Sequence, residues 1–269
     1  MAVTVTPRND FDPCPRVEIV WSQLPDANRV VVMRKWDGRS AIVRGGNGIA
    51  NDPTGFLVDY EAPLDTPLTY EVVGWTNLPY PVGSSGDSAV IALEAGLDAS
   101  RLAILQDPYE PNRCIPTLLE GGAVSSLSYS RDVSLLQPLA GDRIGLAGRM
   151  GLAGGIPFSL FTVGDEDAAT VLVLLTDTYP LVVRSVAPVE LPRLAYASIA
   201  GFRRVPIQRD RAGWTQWEIT IDLVRAPSAS IVAAAHTYDE VKRIYATYGD
   251  LRSAKETYLD VRRDPRVSA

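Results

Sequence analysis

His236 is the single histidine of this chain, and a mechanism that moves a proton near neutral pH would start from it. A Ser-His-Asp relay also needs a nucleophile on a tight elbow, and no GxSxG occurs. His236 stands directly before a helix-capping phrase, where a histidine reads as structural or solvated. Two acidic pairs, Asp165 with Asp167 and Glu240 with Asp250, match what glycoside hydrolysis requires, which is two carboxyl groups facing across a cleft. All four also stand where helices start, and helix capping with solvated carboxylates is the reading the spacing favours.

Cys14 and Cys114 are the two cysteines, each close to prolines, in Asp12-Pro13-Cys14-Pro15 and Arg113-Cys114-Ile115-Pro116. Reduced buried thiols are the expectation, against an interdomain disulfide or a metal site. A metal would need further ligands, and there is no CxxC, HExxH or EF-hand loop. Glycines at 141, 145, 148, 151, 154 and 155 contain neither GxGxxG nor GxxxxGK[ST], so they cradle no phosphate. The sequence therefore predicts no catalytic residue, no cofactor and no metal site, and the protein is not expected to be an enzyme.

Composition narrows the partners. A net charge of -6 argues against a nucleic-acid surface, which draws on clustered Lys and Arg. The clusters Arg203-Arg204 and Arg209-Asp210-Arg211 read as interface or surface charge. No apolar run approaches the roughly 20 residues of a membrane span, and the N-terminus has no basic and apolar leader pattern, so no membrane partner and a cytoplasmic first fold are expected. Hydrophobic content of 46% with 22% charged residues predicts a folded chain, and 269 residues suit two modest domains and an appendage.

The elements that would position these residues are mostly strands. Over 1–95, short runs at 2–6, 16–21, 29–35, 41–44, 56–59, 68–75 and 88–93 are separated by Gly, Pro and Asn, the pattern of an antiparallel β-sandwich. Trp21 and Tyr70 read as its core. Residues 79–86 read as a loop. From 96 to 228 the chain reads as a mixed β domain: strands at 102–105, 126–130, 156–163, 181–186, 193–203 and 217–223, with a helix near 165–176 opened by three acids. Residues 135–155 read as a long loop or arm, and Leu136, Arg143, Arg149 and Met150 are its candidate contacts with a neighbouring copy.

Residues 229–269 repeat one phrase at a ten-residue step, beginning at Thr237, Thr247 and Thr257. Each copy places a capping threonine three residues before a carboxylate and sets Tyr and Val or Leu three apart. A continuous helix would turn the repeat roughly 80° out of phase at each step, so separate short helices are predicted. Tyr238, Val241, Tyr248, Leu251, Tyr258 and Val261 are the candidate docking residues.

Two sets of landmarks carry a family resemblance. Trp21, a Val-rich middle strand and Tyr70 after Asp59-Tyr60-Glu61-Ala62-Pro63 resemble an immunoglobulin or fibronectin type III module, in which such a tyrosine bonds backbone at a corner. IPFSLFTV, the following helix, Leu181-Val182-Val183-Arg184, the run Trp214 to Trp217 leading to Arg225-Ala226-Pro227, and the Thr-Tyr repeats resemble minor tail proteins of siphophages infecting actinobacteria. In those proteins the middle domain is related to the distal tail protein and has its split-barrel fold. The resemblance implies a structural virion protein at the tail tip, assembled in the host cytoplasm. The resemblance further implies a homo-oligomeric ring, commonly hexameric, between the tail tube and the tail-tip hub and fibres. The alternative is a module that binds host-surface glycan or a fibre through Trp36, Trp75 or Tyr80.

Overall fold

The computed structural model describes residues 2–11, 14–51, 54–76, 81–92, 101–124, 127–129, 133–136, 144–147, 151–186, 191–207, 213–230 and 238–255. It is mainly β. The first seven strands are β1 (Val3–Arg8), β2 (Arg16–Ser22), β3 (Arg29–Trp36), β4 (Arg39–Ala50), β5 (Thr54–Asp59), β6 (Leu68–Trp75) and β7 (Pro81–Ala89). They form a three-stranded sheet ordered β1-β2-β5 and a four-stranded sheet ordered β4-β3-β6-β7. The alternation that places Val17, Ile19 and Trp21 on one side of β2, and Val30 and Val32 on one side of β3, buries them with Leu68, Tyr70 and Val72 in one core. All neighbours within these sheets are antiparallel.

Trp21 needs a special neighbour. It is paired across the sheet with Gly55, and a Cβ built on Gly55 would lie 1.9 Å from the indole ring. The ring occupies the space a side chain would fill. Gly55→Ala is therefore expected to lower stability by at least about 2 kcal/mol, as overpacking of a closed core does. A urea unfolding midpoint equal to the parent's would rule out this reading of the pair.

Strand β7 lies largely where the sequence predicts a loop. Its segment PVGSSGDSA lacks the bulky residues that mark strands, but β6 templates it as an edge, with Pro81 at its first position where no ladder bond is lost. Small residues are required there, since a Cβ on Gly86 would sit 2.6 Å from the Tyr70 carbonyl oxygen.

The second set of strands is β8 (Leu102–Gln106), β9 (Cys114–Val124), β10 (Val133–Leu136), β11 (Ile144–Ala147), β12 (Ile156–Val163), β13 (Leu181–Ser185), β14 (Leu194–Pro206) and β15 (Trp214–Val224), with α1 (Asp165–Asp177) between β12 and β13. Six of them close into a barrel in the order β12-β15-β14-β13-β8-β9, with β9 returning to pair β12. Closure removes the edges that an open sheet would leave unpaired. Inside, Phe158, Leu160, Trp217, Ile219 and Ile221 meet the buried face of α1, formed by Ala168, Val171, Leu174 and Leu175. Each large apolar side chain buried in this way contributes about 1.5–3 kcal/mol. The acids Asp165, Glu166 and Asp167 occupy the first turn of α1, at the positive end of its dipole.

Three further expectations are corrected. Strand β9 was not foreseen: CIPTLLEGGAV has no clean alternation, and what makes it a strand is pairing on both sides, with β8 and with β12. Of the strand expected over 126–130, the described residues 127–129 carry an isolated bridge between Ser128 and Gly154, and 126 and 130 lie outside the described residues. The loop expected over 135–155 contains β11 and the end of β10, which pair as a two-stranded ladder from Val133↔Ala147 to Leu136↔Ile144. Two short runs rich in Val, Leu and Ile suffice to pair. The last described residues form two separate seven-residue helices, α2 (Tyr238–Ile244) and α3 (Tyr248–Ala254), at the starts of the first two repeats. The third repeat and His236 lie outside the described residues.

Candidate functional site

Three arginines organise the joint between the first two sheets and the barrel. Arg34 of β3 is 3% exposed, and its Nη1 donates to both oxygens of Asp59 at 2.8 and 2.7 Å. Asp59, at the end of β5, also accepts from the Tyr70 hydroxyl at 2.8 Å and from the Glu61 backbone N–H at 3.0 Å. Tyr70 is thus buried as the sequence predicts, but its hydroxyl bonds a carboxylate and not backbone, because Asp59 sits beneath it as the counter-charge of Arg34. Arg44 of β4 makes the second pair: its Nε donates to Glu61 Oε1 at 2.7 Å, and Glu61 Oε2 accepts the Tyr196 hydroxyl of β14 at 2.7 Å. The third, Arg184 of β13, is fully buried and donates from Nη1 to the carbonyls of Pro15 and Ala62 at 2.8 and 3.2 Å.

Apolar contact completes the joint, since Leu102, Ile104 and Val186 of the barrel side belong to the same core as Leu64, Ile91 and Tyr70. Arg193 adds donations from Nη1 to the carbonyls of Leu64 and Asp65 at 3.3 and 3.0 Å. A shared core, with the buried hydrogen bonds of Arg184, Arg193 and Tyr196 crossing it, holds the two parts in one geometry.

The same charges shift the nearby titrations. Burial weakens the charged form of Arg34, but the Asp59 carboxylate beside it prevails and its pKa rises. Burial, then the Asp59 charge, pushes the Tyr70 hydroxyl well above the ordinary tyrosine value of 10.0. Burial, then Glu61, does the same for Tyr196. Both tyrosines keep their protons in the folded chain at a pH where an unfolded chain loses them. Their contribution to stability is therefore complete below about pH 10 and is lost as pH climbs through the raised folded values. Urea midpoints are expected to be flat approaching pH 10 and to fall beyond it, while absorbance of ionised tyrosine shows these two hydroxyls titrating last. Early ionisation of every tyrosine without unfolding would contradict this.

After β15 the chain crosses the joint. Ser228 O accepts from Arg44 Nη1 at 3.1 Å, and Ala229 O accepts from the Gly45 N–H at 2.7 Å, on β4 at the sheet edge. Arg34, Trp36, Arg44, Glu61, Tyr196 and Pro227 line a cleft of about 360 Å³ there. Trp36 is faced by the Arg34 guanidinium, 4.8 Å from its ring centroid. A second, apolar hollow of about 350 Å³ on the β3-β4-β6 face is lined by Val31, Met33, Ile42, Val73 and Trp75. Trp36 and Trp75 therefore line separate hollows, and Tyr80 lies outside the described residues.

The candidate docking residues are distributed as follows. Leu136 is the last residue of β10, while Arg143, Arg149, Met150, Tyr258 and Val261 lie outside the described residues. Tyr238 opens α2, which also carries Val241. Tyr248 opens α3 and is 77% exposed, and Leu251 is half-buried. Helix α3 carries a complete capping box: Thr247 Oγ1 accepts from the Asp250 N–H at 3.2 Å, and Asp250 Oδ2 accepts from the Thr247 N–H at 3.0 Å. None of its residues is buried.

Asp165 is exposed and Asp167 half-buried on the first turn of α1, where burial and the neighbouring Glu166 raise the Asp167 carboxyl. Asp250 is engaged in the capping box. Among the described residues there is no cluster of three or more His, Cys, Asp or Glu that could hold a metal ion. Nor is any described helix long and apolar enough to cross a membrane. Sequence reasoning did not find Arg34, Arg44, Asp59, Glu61 or Tyr196, because a charged residue inside a strand pattern looks like its solvent face. The available signal was the run of acids Asp59 and Glu61 beside aromatics at the end of β5.

The class these features define is a mainly β protein with two linked β units and a short helical tail. Compared with models of protein families, with curated proteins and with solved structures, the chain matches none.

Proposed function

We propose that this protein is a structural subunit of a bacteriophage tail tip, whose copies join in a ring, six in number, linking the tail tube to the tail-tip hub and fibres. The observation that carries the reading is α3. A seven-residue helix is far below the roughly 12–15 residues at which isolated helices begin to persist, yet this one has built its cap and buries none of its residues. Such a helix gains its stability by docking, and the same phrase recurs in the sequence at the next ten-residue step.

Two features of the fold support the family resemblance. Three strands ordered β1-β2-β5 facing four ordered β4-β3-β6-β7 suit a fibronectin type III-like module. A barrel with one helix inserted between β12 and β13 suits the distal-tail-like domain. A ring needs two different patches on each subunit, and the β10-β11 ladder and the helices α2 and α3 are the two candidates. The reading assigns no chemistry, and the resemblance carried by the sequence landmarks gives it the phage context.

Mass measurement of the purified full chain over a concentration series, with symmetry from negative-stain images, tests the proposal. Six-fold rings are expected at high concentration. A monomer at every concentration, or a closed two-fold dimer, would defeat it. The apolar hollow beside Trp75 favours a second role as the landing surface for a fibre or glycan, for which binding by the full chain on a glycan array, lost in Trp75→Ala, is the check.

A further inference from the structure

The two cysteines come from opposite sides of the joint and meet within it. Cys14 stands just before β2 and is fully buried against Val58 and Tyr60, with Cys114, the first residue of β9, packed against the same cluster. The two thiols are hydrogen-bonded to each other. Cys114 is the partly exposed member, and both are free. The buried Arg184 guanidinium stands beside the pair.

We infer that Cys14 and Cys114 form a modification site, a dithiol that a peroxide converts into a disulfide bolting the first two sheets to the barrel.

The surroundings favour this chemistry. Burial alone would raise the Cys14 thiol, but the hydrogen bond from Cys114, then the charges of Arg184 and Arg16, outweigh it and hold Cys14 below an ordinary thiol. The hydrogen bond to Cys14, then burial, pushes Cys114 well up. Of the two, Cys14 is therefore the thiol that ionises more readily and Cys114 the one that holds its proton. The thiolate is the reactive form toward peroxide, and a neighbouring thiol is what resolves the product.

The steps balance. Peroxide enters past Cys114, and the Cys14 thiolate attacks one oxygen, so that an S–O bond forms, the O–O bond breaks and hydroxide leaves as water with the proton Cys14 had released. Cys14 then carries a sulfenic acid. The Cys114 sulfur, losing its proton, attacks the Cys14 sulfur, and the S–O bond breaks to release a second water. Two thiols lose two electrons in total, and one peroxide gains them.

The consequence is mechanical. Residues 14 and 114 belong to different β units, so a bond between them closes a loop of about a hundred residues and shrinks the unfolded ensemble strongly. This inference is independent of the proposed ring.

The test uses purified full chain with a small molar excess of hydrogen peroxide. Titratable thiols measured after denaturation are expected to fall from two to none, the intact mass to drop by two hydrogens, and a digest to contain the Cys14 and Cys114 peptides linked within one chain. The thermal midpoint should rise by roughly 8 °C and return on reduction. Cys114→Ser, made at the partly exposed sulfur, should show no peroxide-dependent midpoint rise. Oxygen addition at either sulfur without a linked peptide, linkage only between separate chains, or two thiols surviving the treatment would each overturn the inference.

Discussion

Asp59→Ala is expected to destabilise this protein more than any other single surface-neutral substitution, by about 3–5 kcal/mol, because it strips the counter-charge from a guanidinium that has no access to water. Arg34 is 3% exposed and Asp59 1% exposed, so neither can relax into solvent when the other is removed. The same change leaves the Tyr70 hydroxyl and the Glu61 N–H without their acceptor. A loss of this size is a large part of the roughly 5–15 kcal/mol by which domains are stable. Denaturant unfolding measures it directly. Adding Arg34→Met to Asp59→Ala should recover part of the loss, since the stranded charge is gone. If the first variant lies within 1 kcal/mol of the parent by order of magnitude, or the second substitution deepens the loss by its full separate effect, the pair is not the buried anchor described above.

The second large effect concerns assembly. Deleting residues 232–269 is expected to leave the fold intact, because among the described residues neither of the two large cores draws a residue from α2 or α3, and the buried Tyr245 between those helices belongs to neither core. The urea midpoint should move little. Self-association, by contrast, should weaken at least tenfold, which corresponds to about 1.4 kcal/mol or more of lost contact. Tyr248→Ala in the full chain should reproduce a good part of that loss, since an exposed aromatic that becomes buried is the kind of residue that dominates interfaces. Light scattering on the parent and both variants at matched concentrations reads the difference. A truncated chain that unfolds would show that the tail belongs to the core, and one that assembles unchanged would remove the tail from the interface.

Much of the local structure was legible because short-range periods encode it. Trp217, Ile219 and Ile221 alternate in β15 and are buried as alternation requires, and IPFSLFTV spans β12 residue for residue. The acids of the first turn marked the start of α1 correctly, and the repeat phrase foretold the capping box at Thr247 and Asp250 together with the break between α2 and α3. These features depend on residues within one or two turns of each other, so the chain carries them wherever it goes.

Tertiary structure alone decided the rest. β7 and β9 are strands because neighbours hold them, not because PVGSSGDSA or CIPTLLEGGAV prefers extension. Arg34 meets Asp59 across 25 positions, Tyr196 meets Glu61 across 135, and Cys14 meets Cys114 across a hundred. No period in a sequence records such meetings. A charge in a strand pattern points to water or to a buried partner with equal local plausibility, and the choice falls to the packing of two β units against each other, where leaving an ion unpaired would cost more than the contact gains.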